Sequence, residues 1–194
     1  MATSPNRRIG APDSKTRAQL VDAAEQLLVE EGYAAVTSRR VAARAGLKPQ
    51  LVHYYFRTMD DLFVALVRRG AEQTLERQAK ALASTRPLRA LWEVATDPAG
   101  ARVTMELSSL ANHRKAIRAE LADYAAQFRR LQSEALAKVL EGSGLDLGTF
   151  PPEAVAMLLT SISQVLVLED AIGMTAGHAQ VRELVEGWIS RFES

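Results

Sequence analysis

Between Val36 and Phe56 the chain gathers side chains that donate hydrogen bonds or carry positive charge. Arg39, Arg40, Arg44, Lys48, Gln50, His53 and Tyr54 lie in this stretch, with Arg57 just beyond it. Arginine and lysine bind phosphate oxygens, while arginine, glutamine and tyrosine also reach base edges, so the set points to nucleic acid. Enzyme chemistry finds less to work with. His53, His113 and His178 fall in separate blocks, and neither a His-Glu-x-x-His helix, a phosphate-cradling glycine loop nor a serine elbow occurs. Glu169-Asp170 near His178 is the nearest thing to a metal site, and adjacent carboxylates at a helix end are ordinarily solvated. With no cysteine, thiolate metal sites, thiol catalysis and disulfides are excluded. A metal-dependent helical enzyme is thus the weakest reading, and neither a cofactor nor a metal is expected.

The donors need elements to hold them. Of 194 residues, 32 are Ala and 24 are Leu, and aromatic residues make up 6%, a composition that favours helices over sheets. Apolar spacing and punctuation predict about nine helices and no convincing strand. The first spans about Ser14 to Glu31 and is closed by Gly32. Thr37 caps a short helix carrying Val41, Ala42 and Ala45, which Gly46 stops; Pro49 then opens a second short helix through about Phe56. A Thr58-x-x-Asp61 cap starts a long helix to about Ser84. Helices follow from Pro87, from Pro98 to about His113, from about Ile117 to Glu141, from Glu153 to about Ile172, and over the Val181 to Phe192 face. Between the two short helices, the small Ala42, the turn at Gly46 and the apolar Val52 have helix-turn-helix spacing, with Val41, Val52 and Phe56 assigned to its core.

Charge is divided along the chain. Residues 1–70 hold 11 Lys+Arg against 7 Asp+Glu, net +4, and residues 71–194 are net −3, so a total of +1 conceals a basic end on an acidic remainder. The expected organisation is a flexible tail at 1–12, a helix-turn-helix domain at 13–57 and a larger helical domain at 58–194. The tail's Arg7 and Arg8 read as a solubilising terminus in preference to a minor-groove arm. No run of about 18 uninterrupted apolar residues and no signal-peptide pattern occur, which leads us to expect a cytoplasmic protein without a membrane partner.

From about Thr16 to Leu66 the sequence resembles the DNA-binding domain of the TetR family of bacterial transcriptional regulators. The likeness is carried by Gly32-Tyr33, Thr37, Val41-Ala42, Ala45-Gly46-Leu47, Tyr55-Phe56 and Asp61-Leu62. It implies an all-helical homodimer that binds double-stranded operator DNA and, usually, a repressor released by a small molecule. The family commonly has Ser, Gly and Tyr where this chain has Lys48, Gln50 and His53, and Lys in place of Met59. The usual roles carry over to Thr37, Arg39, Pro49, Leu51, Tyr54 and Tyr55. In a recognition helix, Gln50 is expected at an adenine edge, Leu51 at a thymine methyl, and Tyr54 at a base or the backbone. Arg39 is assigned to a guanine, and Thr37, Arg40, Lys48, His53, Tyr55 and Arg57 to phosphates.

The larger domain carries two further expectations. Val155, Leu159, Ile162 and Leu166 form one stripe, with Met157, Leu158, Val165 and Leu168 extending apolar surface around the same helix; the last helix adds Val181, Leu184, Val185 and Trp188. Paired across a two-fold axis, these would make a four-helix dimer interface. For a small, largely apolar organic effector the candidates are Trp92, Met105, Ser108, Asn112, Tyr124, Phe128, Ser161 and Gln164, chosen for mixing apolar bulk with scattered polar groups. A dimeric regulator with no effector remains the alternative.

Overall fold

Ser14 ends its extended backbone by accepting a hydrogen bond at Oγ from the Arg17 N–H, 3.1 Å away, and α1 (Lys15–Glu31) begins there. Its buried side is Leu20, Val21, Ala23, Ala24, Leu27 and Leu28. This computed structural model describes residues 14–142 and 146–193, with 99–102 described by backbone alone. Arg7 and Arg8, and with them the reading of the tail, lie outside the described residues. All regular elements among the described residues are helices.

Gly32 closes α1 and a short 3-10 turn follows at Tyr33–Ala35, an element absent from the expected order. Thr37 caps α2 (Ser38–Arg44), its Oγ1 accepting from the Arg40 N–H at 3.4 Å. The chain then reverses through Gly46, whose φ of 66° lies in the left-handed region that favours glycine. The proline at the first position of α3 (Pro49–Tyr55) lacks only a donor that has no intrahelical partner there. Thr58 and Asp61 form the expected reciprocal cap of α4 (Met59–Leu82): the Thr58 N–H donates to Asp61 Oδ2 at 2.9 Å, and the Asp61 N–H to Thr58 Oγ1 at 3.1 Å. Next in order are α5 (Pro87–Ala95), α6 (Pro98–Ala111), α7 (Lys115–Gly142), α8 (Pro152–Ala171) and α9 (His178–Phe192).

Contacts divide the chain into two units whose boundary falls within α4, not at Thr58: one takes in Met1–Gly70 and Arg102–Leu121, the other Ala71–Ala101 and Ala122–Ser194. In the first, Leu20, Leu27, Val41, Val52, Phe56 and Leu62 are buried. Ion pairs tie its helices together around this core. Arg69 of α4 reaches Asp22 and Glu25 of α1, Arg114 meets Asp60, and Arg68 meets Glu120 at 2.7 Å. In the second unit, Leu88, Trp92, Leu136, Leu140, Ala156 and Val185 belong to one buried cluster. There the Glu193 carboxylate accepts from the Leu88 N–H at 2.5 Å, so the end of α9 satisfies the opening turn of α5.

Candidate nucleic-acid interface

The candidate surface is built on two helices of seven residues each. Such helices are too short to persist alone, so packing holds them in place. Val41 and Ala42 of α2 are wholly buried, and Val52 of α3 is 1% exposed, which pins the two helices through their inward faces. Phe56, also buried, closes α3, and the Arg17 guanidinium lies 5.1 Å from the centre of its ring. Burial at Val52 dictates what α3 turns outward. Lys48, Pro49, Gln50, His53, Tyr54 and Arg57 are exposed, and Leu51 and Tyr55 half-buried. The Tyr54 and Tyr55 rings meet edge to face, centroids 5.0 Å apart, which fixes the orientation of the exposed phenol. Lys48, at the cap position, supplies no side-chain hydrogen bond to the helix, and Pro49 alone sets its first turn.

On α2 the donors differ in availability. Thr37 and Arg39 are exposed at its start. Arg40, assigned to phosphate by its type, instead grips Glu31 with one nitrogen 2.6 and 2.7 Å from the two carboxylate oxygens. Arg44 lies 2.8 Å from Glu30 and 3.6 Å from Glu31. Hydrogen bonding from Arg40, more than the charges around it, holds the Glu31 carboxyl below the ordinary carboxylate range. Two of the cations counted in the motif are therefore neutralised from the end of α1. Arginines nine and fourteen residues beyond their acids give no periodic signal in sequence.

The second unit holds a cavity of about 90 Å³. Of the eight effector candidates only Trp92 lines it. Met105, Ser108 and Asn112 are exposed on the Arg102–Leu121 segment of the first unit, Ser161 and Gln164 are exposed on α8, and Tyr124 and Phe128 are half-buried on α7. Gln132 and Thr160 are its polar lining residues, and sequence reasoning missed both because neither differs in type from a surface helix residue. Val155, Leu159, Val185 and Trp188, expected at a dimer interface, also line it. Leu166 and Val185 are buried within the monomer, and Val155, Leu159, Ile162 and Val181 pack partly buried against the same cluster. That stripe faces its own core. The exposed apolar surface is the other side of α8, with Met157 62% and Leu158 64% exposed along with Val165 and Leu168, joined by Leu184 and Trp188 of α9. By length and composition alone α8 is apolar enough to cross a membrane.

His178 is buried at the start of α9, with Nδ1 3.0 Å from Asp170 and Nε2 2.8 Å from Glu169. The two carboxylates meet opposite edges of the ring and so do not converge on a point where a metal ion would sit. They clasp the ends of the α8–α9 connection instead.

Residues 20–66 match the family described as "Bacterial regulatory proteins, tetR family". Over 52 residues the chain is 40% identical to the HTH-type transcriptional regulator BetI of Rhizobium meliloti (strain 1021), covering 27% of this chain and 26% of that one. The chain thus spans about a quarter of the length of the curated relative it matches. Likeness in fold extends further. A TetR transcription regulator from Haloarcula marismortui has a TM-score of 0.75 at 20% identity, covering 90% of this chain and 96% of that one. A putative transcriptional regulator from Saccharomonospora viridis, in complex with choline, has a TM-score of 0.73 at 18% identity, covering 90% and 95%. These similarities carry the shared all-helical fold across most of the chain.

Proposed function

With residues 20–66 belonging to the TetR family of bacterial regulatory proteins, we propose that the chain is a sequence-specific DNA-binding transcriptional regulator: a repressor that a small organic ligand releases from a palindromic operator. The observation that carries this reading is the exposure of Gln50, His53 and Tyr54, flanked by Lys48 and Arg57, on a short helix whose opposite side is locked into a core by Val52. A helix so presented enters the major groove by its first turn. Gln50 and Leu51 read base edges there, joined by Arg39 of α2 at a guanine, while Lys48, His53 and Arg57 position the backbone, aided by Thr37. Arg40 contributes to phosphate binding only when Glu31 lets it go.

Two copies are needed for a palindrome. The exposed side of α8, from Met157 to Leu168, and Leu184 and Trp188 of α9 offer an apolar surface that a second copy would cover, as two-fold symmetry requires the same patch on both subunits. Two recognition helices would then meet half-sites about 34 Å apart, one turn of DNA. The ligand acts by population shift, its preference for one conformation of the second unit setting how far DNA affinity changes. Such a regulator works in the cytoplasm, on DNA and without catalysis.

Selection of bound sequences from random DNA tests the reading, and a palindrome is the expected product. On that sequence Gln50→Ala should cost about 1 to 3 kcal/mol and relax discrimination at one base pair of each half-site. Failure to enrich any sequence would overturn it.

A further inference from the structure

The cavity of the second unit has a composition that restricts its occupant. Its walls are aliphatic and aromatic, with Leu88, Leu136 and Val185 buried around it and both tryptophans of the chain, Trp92 and Trp188, lining it. Among the described residues no charged side chain lines it, and Gln132 and Thr160 are its polar members. An ion entering this space would lose water and gain no opposite charge, a costly exchange in an apolar site.

The polar pair further narrows the chemistry. Thr160 Oγ1 stands 2.8 Å from the Ala156 carbonyl oxygen and 3.3 Å from Gln132 Oε1. The hydroxyl's one proton faces two acceptor oxygens, the Ala156 carbonyl being the nearer. With Oε1 turned to the hydroxyl, the Gln132 NH2 is left to donate to another acceptor. Gln132 is buried, so that donor has little water to turn to. Size sets the last limit: an engineered apolar cavity of about 150 Å³ accommodates benzene, so a space of about 90 Å³ encloses roughly four heavy atoms of a ligand. Longer ligands would have to extend past Trp188, which is 46% exposed.

We propose that this cavity binds an uncharged, mainly apolar molecule, a short alcohol or ketone in kind, that accepts a single hydrogen bond from the Gln132 NH2. The proposal rests on the reading of the chain as a ligand-released regulator for its effect on DNA, and on the cavity alone for the binding itself.

Because both tryptophans line the cavity, their emission reports entry of a ligand into the full-length protein. Titration with 1-hexanol should saturate, whereas hexanoate and hexyltrimethylammonium, of equal chain length, should bind at least about tenfold more weakly. Gln132→Leu should weaken 1-hexanol about tenfold, the value of one buried hydrogen bond near the upper end of its range, and leave benzene unchanged. Thr160→Val, which removes the hydroxyl that orients the amide, should reduce the preference for 1-hexanol over benzene in the same direction. Equal or tighter binding of either ion overturns the proposal; the aromatic faces would favour the cation if they governed the site. So does a preference for 1-hexanol over benzene that both substitutions leave untouched, or no emission change with 1-hexanol in protein that still binds its operator. Saturable binding of 1-hexanol with no change in operator affinity supports the ligand class and overturns the release mechanism.

Discussion

Glu31→Gln should strengthen DNA binding and steepen its dependence on salt. Glu31 sits at the end of α1 with both oxygens engaged by Arg40, 2.6 and 2.7 Å away, so the pair offers almost no net charge to a phosphate strand. Each cation that neutralises a phosphate contributes about 0.9 to the slope of log affinity against log salt. Releasing Arg40 adds one such contact, and across a fourfold change, from about 50 to about 200 mM salt, a slope of 0.9 corresponds to about 3.5-fold in affinity. The variant's advantage over wild type should therefore be about 3.5-fold larger at the lower salt. Fluorescence anisotropy on the selected operator at four or more salt concentrations measures it, and Arg40→Ala completes the cycle. In the wild-type background Arg40→Ala should change the slope little; in Glu31→Gln it should restore the wild-type slope. A Glu31→Gln slope equal to wild type, or a full unit lost from Arg40→Ala alone, would refute the idea that the carboxylate withholds the cation. Acid affects the same pair. Because Arg40 lowers the carboxyl's pKa, the stabilisation from the clamp is complete above the ordinary carboxylate range and is lost only as pH falls through the lowered value. Mild acidification should therefore leave the clamp, and with it the difference in slope between wild type and Glu31→Gln, in place.

Other outcomes follow from features already described. Arg57→Ala, at an exposed cation beyond α3, should weaken binding to all sequences and flatten the salt slope by about 1 in the same anisotropy series. Gly46→Ala should destabilise the protein by about 1 to 2 kcal/mol in urea unfolding. An added Cβ there meets nothing within 4 Å, so the loss comes from the backbone at φ 66°. Leu158→Glu, on the exposed side of α8, should shift sedimentation at micromolar concentration from dimer to monomer while leaving helical content unchanged; a wild-type monomer, or a variant that still dimerises, would count against that face.

Local signals in the sequence determined much of the first unit. Thr37, Pro49 and the Thr58–Asp61 pair each start a helix by satisfying or sparing donors within three residues, and all three helices begin where these residues place them. Val41, Val52 and Phe56 were assigned to the core from spacing and are buried. The turn at Tyr33–Ala35 was missed because three residues carry no period. What required tertiary pairing was not legible: Arg40 reads as a free donor until α1 brings Glu31 beside it. On α8 the difficulty is different. A helix apolar on every side has no pattern that says which side faces inward, and the stripe through Val155 and Leu159 lies against the core while Met157 and Leu158 lie outside. Residue type alone likewise scattered the effector candidates over two units, whereas a cavity depends on which helices face one another.

The shortness of α2 and α3 has a genetic consequence. Seven-residue helices keep their shape only through what they rest on, so under the proposed function the positions that determine DNA recognition would extend beyond those that touch the duplex. A screen for colonies that have lost repression would return Leu27→Pro, Val41→Asp or Val52→Asp as readily as changes at Gln50. Such alleles would cluster on buried α1, α2 and α3 positions and, in cells also carrying the normal gene, would interfere with it only if the altered chains still pair.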